Sequence, residues 1–237
     1  MAPIQVGALL YDWQVLDVAG PFDLLSSVSK PILEYANSHI TTIGQHLVDK
    51  APEFEFHHIG ETMEPITLLT SNFKVLPTVL VDDCPELDIL VIGGTIPETH
   101  KFSEKFADFI RHHAKANKLI FTTCTGASHL ASTGVLDGRN ATVNNVEYGW
   151  IVKNFPKVNW SKDKKWVIDG NIWTGSGASS AMDMIAHYIK ERWGLDMMIA
   201  AAKNLDFEPR DIDGMYYTVF PKRYDAQGKQ VSTNDLS

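Results

Sequence analysis

This sequence is short of cysteine, of positive charge and of long apolar runs, and each shortage removes a class of protein. Two cysteines in 237 residues, Cys84 and Cys124, make no disulfide framework and suit a reducing compartment. Lysine and arginine number 21 against 29 aspartates and glutamates, a formal charge of −8. Such a balance repels polyphosphates and anionic headgroups, so no nucleic acid and no membrane is expected as a partner. No run approaches the roughly 18 apolar residues of a membrane span. The first residues, Met1 to Gly7, lack the basic and apolar regions of a secretory signal, and the last carry no recognisable address. A cytoplasmic location is the expectation. Internal repeats and low-complexity segments are absent too.

What is present is organised around Lys118 to Ala131. Leu119 to Thr122 reads as a buried strand that runs without a spacer into a helix of small and apolar residues from Ala127. Cys124 falls at the change. A tight strand-to-helix turn exposes its middle side chain at the top of a sheet. The first free N–H groups of the helix then favour a thiolate there, and Gly126 stands where a bulky side chain would crowd the turn. This stretch alone leaves a buried structural cysteine equally open.

Other segments repeat the strand-then-loop pattern. Ile4 to Leu10 is a short apolar run followed by a polar loop, with Pro21 marking the first turn of a helix. Asp17 is then a loop carboxylate, either a turn or cap residue or a group held at the sheet's edge. Leu87 to Ile92 is a second buried strand, closed by Gly93 and Gly94, where backbone N–H groups can approach a ligand. Phe54 to Ile59, Ile66 to Leu69, Lys74 to Pro77 and Thr78 to Val81 read as shorter extended pieces, and residues 38–52 as partly loop. Ser103 to Asn117 has helical spacing, with His112 and His113 expected in solvent near its end. Trp166 to Thr174 reads as a hairpin about Asp169-Gly170-Asn171. Alternating strands and helices imply one α/β sandwich with a largely parallel sheet over residues 1–237, and a polar tail expected to be mobile from about 222. Ligands bind such sheets at the carboxyl ends of strands. Asp17, Gly93-Gly94 and Cys124 all follow apolar strands, so one rim collects them, which favours a reactive thiol.

Four segments together resemble the DJ-1/PfpI (ThiJ) superfamily: Leu16-Asp17-Val18-Ala19-Gly20-Pro21, Leu87 to Gly94, Thr123-Cys124-Thr125-Gly126-Ala127, and Gly170 to Gly177 followed by Asp183. The resemblance implies a flavodoxin-like three-layer α/β sandwich of the class I glutamine amidotransferase-like type. Asp17, and Thr125 after the cysteine, look like the isonitrile hydratase group within it. That implies Cys124 as nucleophile, with Asp17 and Thr125 assisting, Gly93 and Gly94 holding developing negative charge, no metal or organic cofactor, a small-molecule substrate and a homodimer. The implied reaction is hydration of an isonitrile to an N-substituted formamide. A glyoxalase-like, lyase or cyclase enzyme of specialised metabolism on the same scaffold is the alternative, and a redox-sensing or chaperone-like protein the non-enzymatic one. One departure stands out. The family often has histidine in an A-T-x-H segment, where this chain has Ala141-Thr142-Val143-Asn144. Asparagine cannot take up a proton at neutral pH, so no Cys–His dyad is expected, and Asn144 joins the candidate binding residues.

Overall fold

Apolar runs too short for helices become neighbouring strands. The computed structural model describes residues 2–39, 43–217, 223–224 and 230–231. In chain order the elements are β1 (Ile4–Leu9), α1 (Val15–Ser26), α2 (Lys30–His39), α3 (Gln45–Lys50), β2 (Phe54–Gly60), β3 (Ile66–Thr67), β4 (Lys74–Val75) and β5 (Val79–Leu80). Next come β6 (Ile89–Ile92), α4 (Glu104–Lys115), β7 (Leu119–Thr122), α5 (Gly126–Ser132), β8 (Asn140–Thr142), α6 (Tyr148–Asn154) and β9 (Asn159–Ser161). The chain continues through β10 (Trp166–Asp169), β11 (Ile172–Gly175), α7 (Ala178–Trp193) and α8 (Leu195–Asn204). The tail expected to be mobile lies outside the described residues, apart from a short antiparallel pair, β12 (Arg223–Tyr224) and β13 (Gln230–Val231).

The main sheet runs β10-β11-β7-β6-β1-β2-β5. Every neighbouring pair is parallel except the β10–β11 hairpin, turned at Gly170. β6 and β11 are buried at every position, so both faces of the sheet are covered, as parallel sheets require. The result is a three-layer α/β sandwich with α1, α7 and α8 packed on one another as one outer layer. The core runs through the central strands, with Leu9, Ile89, Leu90, Ile92 and Phe121 fully buried. No helix among the described residues is long and apolar enough to cross a membrane.

Topology places the site. The chain leaves β1 toward β2 on one side, then returns to lay β6 on the other side of β1. That reversal opens a crevice outside the carboxyl ends of β1 and β6, where ligands bind such sheets. The loop after β7, next in the sheet, borders the same crevice.

Three expectations are corrected. Helix α1 begins at Val15, not at Pro21, so Asp17 sits in its first turn rather than in a loop. Pro21 lies inside the helix and leaves the Asp17 carbonyl without its usual N–H. Gly20 before it has no Cβ to clash with the proline ring, which lowers the cost of the helical conformation there. Residues 38–52 hold α3, formed because Leu47 and Val48 have a core to enter. His113 is 5% exposed, not solvated, and its Nε2–H donates to the Leu119 carbonyl at 2.9 Å. Elsewhere helix α4 starts as its sequence suggests, with Ser103 capping the Phe106 N–H at 3.1 Å.

Candidate functional site

Cys124 occupies the link between β7 and α5 with φ +56°. A non-glycine residue in that region is uncommon and carries local strain. The turn is held from several sides. Thr123 N–H donates to the Ile92 carbonyl at 3.0 Å, and Gly126 N–H donates to Thr123 at 2.8 Å. A Cβ on Gly126 would fall onto the Ile92 carbonyl oxygen, so glycine there lets α5 start against the end of β6. Overlap of this kind between backbone and side chain cannot be relieved by a rotamer change.

Asp17 approaches the same place from the first turn of α1. It is 0% exposed. Its Oδ2 accepts the Gly94 N–H at 2.7 Å, and its Oδ1 is buried without a hydrogen-bond partner. A Cβ on Gly94 would lie 2.7 Å from Thr125 N and 2.9 Å from Asp17 Oδ2; glycine is what lets the backbone come this close. Burial pushes the Asp17 carboxyl up to about 7, against the opposing pull of the Gly94 N–H and, more weakly, the Thr123 hydroxyl. Thr123 Oγ1 meets no hydrogen-bond geometry, so the Gly94 contact is the firm one.

Asn144 reaches the sulfur. Its Nδ2 donates to Cys124 Sγ at 3.1 Å, while its Oδ1 accepts the Val146 N–H at 2.8 Å. The second bond fixes which end of the amide faces the thiol. Asn144 N–H also donates to the Cys124 carbonyl at 3.3 Å. The thiol itself is pushed up to about 11, first by burial and then by the nearby Asp17 charge; the Thr125 N–H and Asn144 only partly offset this. The expected resting thiolate is therefore not what these surroundings favour. Helix α5 spans Gly126–Ser132, and a dipole that short loses to desolvation. The Thr125 hydroxyl donates to the Thr95 carbonyl at 2.7 Å. Its one proton is committed to holding the 93–95 loop, not to the sulfur.

The loop rests on a layer that sequence reasoning missed. The Tyr11 hydroxyl donates to the Gly93 carbonyl at 2.6 Å. Below it Tyr11, His100, Phe102 and His129 pack ring against ring, tilted or edge-on, with His100 and His129 ring centroids 5.0 Å apart. His129 is pushed down to about 3 by burial and by His100; it is a neutral packing element turned away from the thiol, as its place in the chain suggests. A polar aromatic just past a buried strand was the available signal for Tyr11. The Asn144-Asn145-Val146 turn, with a side chain able to cap the N–H two residues on, was the signal for Asn144's orientation.

A pocket of about 240 Å³ opens over Cys124, Thr125, Gly94 and Asn144. Thus Cys124, Asp17, Thr125, Gly93, Gly94 and Asn144 are brought into one constellation. A larger cavity of about 710 Å³ lies at the amino ends of β1, β6 and β7, against Ile4, Ile89 and Leu119. It holds none of these groups and is far from the switch point, so the smaller pocket is the candidate site. Among the described residues no cluster of three or more histidine, cysteine, aspartate or glutamate side chains could hold a metal ion. Chemically, the arrangement offers a half-buried thiol, a carboxyl able to exchange a proton near neutrality, and N–H groups for a developing anion.

Comparison with known proteins gives the family and agrees with the fold. The DJ-1/PfpI family model matches residues 16–191. The chain is 27% identical over 210 residues to an isonitrile hydratase from Pseudomonas putida, covering 87% of this chain and 79% of that protein. It is 25% identical over 139 residues to the HTH-type transcriptional regulator GbdR of Pseudomonas aeruginosa, covering 59% of this chain and 38% of the regulator. Among solved structures, Drosophila melanogaster DJ-1beta superposes with a TM-score of 0.67 at 17% identity, over 87% of this chain and 99% of that one. A THiJ/PfpI family protein from Pseudomonas syringae does so with 0.69 at 18% identity, over 89% and 78%. At these identities the structural likeness speaks for the fold.

Proposed function

This chain belongs to the DJ-1/PfpI family, and from that premise we propose that it is a cysteine-dependent enzyme that adds water to a small electrophile, an isonitrile first of all. The observation that carries the reading is the pairing of Cys124, held in a left-handed turn, with a buried carboxyl whose proton leaves near pH 7.

In this reading the Asp17 carboxylate takes the thiol proton as Cys124 sulfur attacks the terminal carbon of R–NC. Asp17 returns that proton to the same carbon, giving the thioimidate R–N=CH–S–Cys124. Water then adds at this carbon, with Asp17 relaying one of its protons to nitrogen. The C–S bond breaks, the sulfur takes the remaining proton, and R–NH–CHO leaves. The balance is one isonitrile and one water in, one formamide out. The negative charge passing through the site is met by the Thr125 N–H, and Asn144 Nδ2 steadies the sulfur as it ionises. No imidazole is needed, because the carboxyl alone serves as acid and base.

Incubating the protein with a panel of alkyl and aryl isonitriles and following formamide by NMR tests the reading. Turnover that vanishes in Cys124→Ala supports it; full turnover in that variant removes covalent catalysis. The second reading is a sensor, favoured by the similarity to a transcriptional regulator. Oxidation of Cys124 to sulfinate by mild peroxide, with no turnover of any isonitrile or 2-oxoaldehyde, would support it instead.

A further inference from the structure

The mouth of the Cys124 pocket is built by the stretch that follows Asn144. The turn that ties Asn144 Oδ1 to Val146 N–H brings Val146 and Glu147 over the thiol. Val146 is 86% exposed, and Ile96 and Leu69, on other segments of the rim, are 47% and 41% exposed. Large apolar side chains left in water around a pocket mark a place where something apolar docks. Glu147 is the one formally charged side chain among the residues that line this pocket, and the lining holds no lysine, arginine or histidine. Glu147 also stands at the N-cap of α6 without using its carboxylate to cap the helix, so its charge is available to the pocket. Beneath the thiol lies Asp17, a second acidic group. An anion entering would meet carboxylates and no cation.

We propose that Glu147 sets the charge preference of this pocket, which admits neutral and cationic molecules with a compact apolar body and turns anions away. The inference rests on the reading of Cys124 as a nucleophile and adds to it the class of substrate: no free carboxylate, phosphate or sulfonate on the electrophile. Glu147 is a specificity residue in this account, not a participant in bond making.

The test uses the thiol itself, so it does not depend on turnover. Three methanethiosulfonates would be compared: the neutral methyl reagent, the anionic 2-sulfonatoethyl and the cationic 2-(trimethylammonium)ethyl. Each forms a mixed disulfide on Cys124 and expels methanesulfinate. Rates at the Cys124 peptide, by mass spectrometry, are divided by the rates with free 2-mercaptoethanol. The cation should exceed the anion by about tenfold at low salt, a ratio expected for one carboxylate lining a half-wet pocket. Glu147→Gln should bring that ratio to about one and Glu147→Lys should invert it, while raising the salt concentration should shrink it in the native protein. Glu34→Gln, an exposed carboxylate on α2, makes the same change in net charge and should leave the ratio unmoved. Equal ratios in Glu147→Gln and Glu34→Gln overturn the assignment to Glu147. A ratio that moves as stated, without turnover of any isonitrile, leaves the charge preference standing and removes the proposed reaction. Turnover with an unmoved ratio does the opposite.

Discussion

Two aspartates in this molecule are equally buried and do opposite things. Asp17 and Asp183 are each 0% exposed. Asp183, on α7, gives both oxygens to one partner: Oδ1 accepts the Arg210 N–H at 2.9 Å and Oδ2 accepts Arg210 Nη2 at 3.1 Å. Asp17 has a single N–H on one oxygen and nothing on the other. Burial raises both carboxyls. At Asp183 a fixed cation answers the charge, and the pair fastens the segment after α8 onto α7. At Asp17 no cation among the described residues answers the charge, so the cost of ionisation stays and the proton remains exchangeable at neutral pH. Burial alone does not make a carboxyl a candidate for chemistry; being left short of partners beside a pocket does.

Four experiments would break or sharpen that contrast. The largest effect is on turnover. Asp17→Asn keeps the Gly94 contact but cannot exchange a proton, and should cost about 10²–10⁴ in kcat. For the proposed reaction of the native protein, kcat/KM should rise with pH through about 7 as Asp17 ionises. Asp183→Asn, by contrast, should leave kcat per folded molecule unchanged. Next is the strut: Arg210→Ala leaves the Asp183 carboxyl buried and unanswered, at a cost of about 3 kcal/mol by urea denaturation.

The third effect reverses sign. Folded Asp17 keeps its proton to about 7, whereas the unperturbed value is 3.8. Its raised value therefore favours the folded state fully below 3.8, and that advantage is lost as pH rises through about 7. Asp17→Asn does not ionise, so its stability relative to the native protein should climb between pH 5 and 8, by roughly 2–4 kcal/mol. A thermal-melt series over pH would show it, and a flat difference would mean Asp17 is not desolvated. The smallest effect is at the sulfur. Asn144→Ala removes one hydrogen bond to Sγ and should slow labelling of Cys124 by neutral iodoacetamide about fivefold, the equivalent of about 1 kcal/mol.

Much of this was legible beforehand, and the exceptions share a cause. The strands at Leu119–Thr122 and Ile89–Ile92 and the turn at Cys124 were readable because each is a local pattern of apolar run, glycine and small residues. The hairpin at Gly170 was readable for the same reason. Asp17 was misplaced into a loop because Pro21 usually opens a helix; packing of Val18, Leu24 and Leu25 into the core extended α1 backward past it. His113 was expected in water, and it is buried with its Nε2–H on the Leu119 carbonyl at the start of β7. The elevated thiol was missed because a helix terminus can be seen in sequence and desolvation cannot.

The order of residues by itself decided where the chain would turn, which side chains would stand at the ends of strands, and that imidazole would be missing at position 144. Those depend on steric and hydrophobic preferences acting over a few neighbours. The folded arrangement alone decided which polar groups would be brought together away from water. That depends on how much water reaches a carboxyl on α1, a thiol after β7 and an amide after β8, and water is excluded by parts of the chain far apart in sequence.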